Sequence, residues 1–242
     1  MRLAAGINHM PEELWVGVTG TVVLWAVSAG LAIALALLLT AGSLSSHKAV
    51  HLLARSAVNS TRGVPTSVLV LVAGMGMMRA SGGLQLPNIY PGTSPAFQHV
   101  AWAIALSLAF GSAGHLAEIF IAARSTLGRS RLDQMAVLGL SPLSRAALVL
   151  RECAAVGLAP TGARLVHHLH NTAFAAFFPV TDLFGFVQGI SSATFRVFEF
   201  IALGCMIYVA LSGFIWLTTR ALEAYFAPPV LRRAKRDVYV WS

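Results

Sequence analysis

From Leu14 to Leu39 the chain reads LWVGVTGTVVLWAVSAGLAIALALLL, an apolar run interrupted by nothing more polar than Thr and Ser. Crossing about 30 Å of hydrocarbon takes about 20 helical residues, and the run exceeds that length. Only helices and closed barrels satisfy their backbone groups inside a bilayer. This run is too long and too continuous for alternating barrel strands, so a membrane-spanning helix is predicted. A secretory signal needs a basic leading region and a shorter apolar stretch. Glu12 and Glu13 precede this one instead, so it reads as a permanent span.

Working outward, the rest of the chain repeats the pattern. Of the 242 residues 57% are hydrophobic and 11% charged, with mean hydropathy +0.73. That exceeds the apolar content of a soluble domain, and the apolar residues come in blocks. The second run, Val64 to Met78, is short by itself and continues a helix that begins near Val50. Arg62, Gly63, Val64 and Pro65 lie inside it. Pro65 removes a backbone donor, so a kink or break is predicted there. A third span, Phe97 to Ala123, is clean except for His99, His115 and Glu118. The fourth runs from about Ala146 to Phe178 and the fifth from Phe198 to Leu222. Between these two, Pro179 to Arg196 reads as a re-entrant or interfacial stretch, with Pro179, Gly185 and Gly189 as breakers. The predicted fold class is all-α: one polytopic membrane domain over residues 1–242, with five spans at about 14–39, 50–78, 97–123, 146–178 and 198–222.

Positive charge sets the expected orientation. If the Leu39 end of the first span and the 129–145 connector face the cytoplasm, that side collects Lys48, Arg55, Arg124, Arg129, Arg131, Arg145 and Arg151. The tail adds Arg220, Arg232, Arg233, Lys235 and Arg236, making twelve of the 17 Lys and Arg. The opposite side holds Arg2, Arg79 and Arg196. Such a bias places the amino terminus outside and the carboxyl terminus in the cytoplasm. The net charge of +8 is therefore a topology signal. Nucleic-acid binding is set aside, because the charges are scattered over separate loops with no recognition fold around them. Cys153 and Cys205 sit in apolar helices, which favours buried thiols over a disulfide or metal pair.

The connector Arg129 to Arg145 is the most unusual segment. It has a helical pattern of its own, with small Ala136 and Gly139, and Gly139 and Pro142 close it. A short helix lying on the membrane transmits force if it is seated in a pocket of a moving partner. It can equally lie on lipid, held by Arg129, Arg131 and Arg145. Spacing alone leaves these two readings close.

A set of short islands resembles one family. Asp133, Gln134, Met135, Ala136, Val137, Leu138, Gly139, Leu140 and Ser141, with the order of spans, resemble the permease subunits of bacterial ABC importers, whose Glu-Ala-Ala motif is followed four residues on by Gly. The polar amino-acid uptake branch is the nearest match. Arg62-Gly63-Val64-Pro65 resembles its Arg-Gly-Thr-Pro, and Leu116-Ala117-Glu118-Ile119 its Ala-Glu-Ile. His170-Asn171-Thr172 stands where that branch has Lys-Asp-Thr, and Val180-Thr181-Asp182-Leu183 resembles Val-Pro-Glu-Leu. Thr194-Phe195-Arg196-Val197-Phe198-Glu199 resembles Thr-Phe-Arg-Pro-Phe-Glu. The resemblance runs from about Leu14 to Leu222, and it tips the connector to docking. Departures are Asp133 for Glu, Gln134-Met135 for Ala-Ala, Arg151 for Pro, and Ile121-Ala122-Ala123 for Arg-Gly-Gly.

The resemblance implies a permease working by alternating access. Its partners would be two cytoplasmic ABC ATPase subunits carrying ATP and Mg, a second permease and an extracytoplasmic solute-binding protein, in a bacterial inner membrane. The divergence at His170 and Asn171 favours a second permease different from this chain. Asp133, Gln134, Met135, Ala136, Leu138, Gly139, Leu140 and Ser141 would couple to the ATPase. Arg62, Gly63, Pro65, His115, Glu118, Arg164, His170, Asn171 and Thr172 would line the translocation path. A polar amino acid is the expected cargo, with an opine-like or other amino-acid derivative behind it.

Ionisable groups inside spans are costly and need partners or water. Glu118, Arg151, Glu152, Arg164, His167, His168 and His170 are of this kind. Glu118 and Arg164, on different spans, either face a water-filled path or form a structural ion pair. His167 and His170, at i, i+3, have the spacing that half of a metal site would need, but no Cys or carboxylate completes it nearby and no metal is expected. His168 is placed on a different face, in packing. No Gly-rich loop ending in Gly-Lys-Ser or Gly-Lys-Thr exists, so the chain is not expected to bind ATP or act as an enzyme. The alternative function is a structural or channel subunit without ATP coupling.

Overall fold

A computed structural model describes residues 10–79, 86–128, 133–135 and 137–226. Among them every regular element is helical. The long helices are α1 (Met10–Ser43), α2 (Lys48–Gly63), α3 (Thr66–Arg79), α4 (Gln98–Ser125), α5 (Pro142–Asn171), α6 (Leu183–Thr194) and α7 (Val197–Phe226). A 3-10 turn, Pro95–Phe97, leads into α4, and a longer 3-10 segment, Thr172–Phe177, continues α5. Four helical stretches are long and apolar enough to cross a membrane, and a fifth is obtained if α2 and α3 are one broken span. Of the connector, 129–132 and Ala136 lie outside the described residues, as do Arg2 and the tail from 227 onward.

The break falls at Val64 and Pro65, where the axis turns by 90° between α2 and α3. Pro65 has no N–H to donate, and its ring opposes a helical Val64, which is extended with φ −101° and ψ 127°. The break is thus sharper than a kink.

One other proline and two glycines behave differently from their reading in the sequence. Pro142 opens α5 rather than closing the connector. At the first helical turn a missing N–H costs nothing, and Ser141 caps the end by accepting a hydrogen bond from the Ser144 N–H at 3.2 Å. Pro160 sits inside α5. Gly185 and Gly189, read as breakers, lie within α6. Asp182 caps that helix by accepting from the N–H groups of Phe184 (2.9 Å) and Gly185 (3.1 Å), which offsets the cost of glycine in so short a helix. The helix ends at Phe195, a non-glycine residue in the left-handed region at φ 58°. Cys205, expected to be buried, is exposed on α7, and Cys153 is half-buried.

Helix α4 is the centre of the molecule and packs against α1, α2, α3 and α5. Val100, Ile104 and Leu108 on it are fully buried in one cluster with Leu24 of α1, and Leu116 is fully buried in a second cluster with Ala32 and Ala36 of α1. With no hydrophobic force between helices in lipid, close approach through small residues drives their association. Gly111 and Gly114 supply it. A Cβ at Gly111 would stand 2.6 Å from Thr66 Oγ1 at the start of α3. One at Gly114 would collide with Thr61 Oγ1 and stand 2.7 Å from the Val58 carbonyl of α2. The broken span therefore lies directly on the middle of α4.

Candidate functional site

Where the broken helix crosses α4, charged side chains gather inside the spans. Arg62, in the last turn of α2, is exposed, and its stem passes Gly114. Glu118, one helical turn along α4, accepts from Arg55 Nη1 at 3.1 Å and pairs with Arg62 Nη1 at 3.4 Å. Glu118 thus has its ion-pair partners on α2, not at Arg164. These groups are partly exposed, so the pairs add little stability. Their effect is to fix the Arg62 head beside the α4 surface. Gly63 and Pro65 are exposed at the break itself.

Arg164 reaches the same level from α5. Its Nη2 donates to the Gly111 carbonyl at 2.9 Å and to Ser112 Oγ at 3.2 Å. Its Nε is buried and has no partner among the described residues. His115 lies within electrostatic range of Arg164, Arg62 and His167. The structure therefore brings Arg62, His115, Glu118 and Arg164, four of the residues read from the sequence, to one crossing of three helices.

Behind this surface is a buried polar link that sequence reasoning missed. His168, with no exposed area, takes Ser28 Oγ of α1 on Nε2 (2.8 Å) and Ser112 Oγ of α4 on Nδ1 (2.7 Å). Trp25 Nε1 adds a bond to the Leu165 carbonyl at 3.1 Å. Polar groups in hydrocarbon act as glue between helices. Serines inside apolar runs were the available signal, but nothing along the chain says which histidine they meet.

His170, Asn171 and Thr172 do not share a face. His170 is exposed and turned to α7, 3.1 Å from Ser212 Oγ and edge-on to the Tyr208 ring. Thr172 is fully buried and Asn171 nearly so, with Asn171 Nδ2 lacking a partner among the described residues. Adjacent residues diverge because a helix turns about 100° per residue, and α5 also tightens into 3-10 after Asn171. No group of three or more His, Cys, Asp or Glu able to hold a metal occurs among the described residues.

At the connector, Asp133, Gln134 and Met135 are helical, and the Leu138 N–H donates to the Gln134 carbonyl at 3.0 Å. Gly139 then turns into the left-handed region at φ 65°. Arg145 Nε donates to the Leu140 carbonyl at 3.2 Å, tying the turn to α5. Met135 is buried, whereas Val137, Leu138 and Leu143 are 87%, 71% and 81% exposed. This apolar tip has open space around Gly139.

At the end of α1 that carries Glu12 and Glu13, a cavity of about 740 Å³ is lined by both glutamates with Gly92, Ser94, Thr181 and Asp182. Asp182 is 1% exposed, and burial pushes its carboxyl up to about 7 against the opposing pull of the Phe184 and Gly185 N–H groups. With the folded value above the ordinary 3.8, the native state holds a proton that the unfolded chain releases between about pH 4 and 7. This group's contribution to stability is therefore greatest below pH 4, declines up to about pH 7 and is flat beyond. Asp182→Asn, which keeps an acceptor for the cap, is expected to remove that decline. Thermal unfolding of the purified protein between pH 5 and pH 8 checks it, and an unchanged pH slope in the variant would contradict the assignment.

The fold and these sites define an all-helical, polytopic membrane protein with a broken span at its centre. No protein-family model matches the chain, and no curated protein does. Among solved structures, one described as the crystal structure of an amino acid ABC transporter with histidines superposes at TM-score 0.68 with 21% identity, covering 92% of this chain and 96% of that one. The permease-like fold class implied by the sequence islands is the one found.

Proposed function

We propose that this chain is the transmembrane permease subunit of an ATP-driven importer for polar amino acids or amino-acid-like solutes. The observation that carries the reading is the end-to-end superposition on an amino acid ABC transporter, 96% of whose chain is covered. Charged groups set around the broken span suit a path for a polar solute. The exposed apolar tip at Val137, Leu138 and Leu143 suits insertion into a partner's pocket.

In this reading a second permease completes the passage, two ATPase subunits hold ATP and Mg, and an extracytoplasmic binding protein delivers solute to the cavity near Glu12 and Asp182. The amino terminus lies outside and the connector in the cytoplasm, as the basic residues suggest. Hydrolysis belongs to the partners. ATP binding moves the connector and shifts the population between outward- and inward-open states. The test is accumulation of labelled amino acids in liposomes carrying the chain with its partner subunits. Uptake that requires internal ATP is expected, and equal uptake without nucleotide would favour a channel or structural subunit.

A further inference from the structure

The charge cluster at the helix crossing is out of balance. Three arginines, Arg55, Arg62 and Arg164, stand at this crossing with one carboxylate, Glu118, which Arg55 and Arg62 share. Arg164 has no ion pair among the described residues. It is held by a carbonyl and a hydroxyl, which orient a guanidinium without neutralising it. His115, His167 and His168, titratable groups beside it, add no negative charge. Gly111 and Ser112, to which Arg164 is bonded, stand at the middle of α4, so the cation lies deep in the span, beyond the ordinary reach of a lipid headgroup. A cation at that depth is costly unless an anion or water meets it.

Resting on the permease reading above, we propose that Arg164, flanked by Arg62, His115 and His167, receives a carboxylate of the transported solute, and that the cargo is a net-anionic, amino-acid-like compound. With Nη2 engaged and Nε buried, Nη1 is the guanidinium nitrogen left to donate to a carboxylate, in a charge-assisted hydrogen bond. Its bonds to Gly111 and Ser112 engage only Nη2, and the orientation is set before the solute arrives, so little side-chain freedom remains to be lost on binding. A net-cationic solute would meet like charge from Arg62 and Arg164 on the same path.

The test uses the chain with its partner permease, ATPase subunits and binding protein in liposomes, with radiolabelled glutamate, glutamine and arginine as probes. Wild type is expected to accumulate glutamate in preference to the other two. Arg164→Gln is expected to lower glutamate uptake at subsaturating concentration by about tenfold or more, chiefly through KM, and Arg164→Lys to restore part of it. The thermal midpoint of Arg164→Gln should stay close to wild type. ATP-driven uptake favouring arginine or glutamine overturns the inference and leaves the permease reading standing, and this arm needs no variant to fold. Unchanged glutamate uptake in Arg164→Gln also overturns it. So does loss of the second permease from Arg164→Glu complexes, which would assign the arginine to an ion pair between subunits. Absence of ATP-dependent uptake for all three probes removes both readings.

Discussion

On the permease reading proposed above, Gly139→Glu is expected to remove nearly all ATP-driven uptake while leaving the chain folded in the membrane. Two effects combine at this residue. Its φ of 65° is a conformation that a side chain with a Cβ adopts at a cost of about 1 kcal/mol. The larger effect comes from charge, since the open space beside Val137 and Leu138 is where an apolar pocket would close over the tip. A carboxylate carried into such a pocket is left without partners, which costs several kcal/mol. Uptake should fall by about a hundredfold, in line with loss of an interface anchor, and the ATPase subunits should no longer copurify. Gly139→Ala bears only the backbone strain and should keep most of the activity. Full copurification of ATPase subunits with the Gly139→Glu chain would contradict docking at this tip.

The second large effect is structural. Gly114→Leu places a branched side chain where even a Cβ collides with Thr61 Oγ1, 2.7 Å from the Val58 carbonyl and 3.1 Å from Arg62 Cγ. The carbonyl belongs to helix backbone and cannot step aside, so α2 must lift off α4. Overpacking of this kind costs about 3 kcal/mol. It also pulls Arg62 and Arg55 away from Glu118. A fall in thermal midpoint of about 5 °C or more is expected in detergent, with transport lost in parallel. Gly30→Leu is the matched control, since nothing stands within 4 Å of a Cβ there. Equal midpoints for the two variants would show that the α2 and α4 approach is looser than described.

The apolar runs were readable in the sequence because crossing hydrocarbon is decided by each segment on its own. Helix α1 spans Met10–Ser43 around the run quoted from Leu14 to Leu39, and Pro65 marked the broken span for the same local reason. End effects were less readable. Pro142 can stop one helix or start the next, and only the Ser141 cap shows that it starts α5. Gly185 looked like a breaker until Asp182 was seen to hold its N–H.

The site divides in the same way. Arg62, Glu118 and Arg164 stood out because a charge inside an apolar run is costly wherever the helix packs. Their partners did not. Arg55 is 63 residues from Glu118, and Ser28 is 140 residues from His168. The His170 to Thr172 run, contiguous in the sequence, is split between the α7 side and the interior.

By itself, the chain determined that it crosses a membrane as helices and where the proline breaks one of them, because hydropathy and a missing N–H act over a few turns. It also determined which charges are costly. Only the packing of α2 on Gly114 and of α3 on Gly111 of α4, with Arg164 reaching Gly111 from α5, decided which charges meet, since that depends on where helices cross and how closely they approach. Arg164 left with a carbonyl and a hydroxyl, and Glu118 shared by two arginines, are consequences of that crossing.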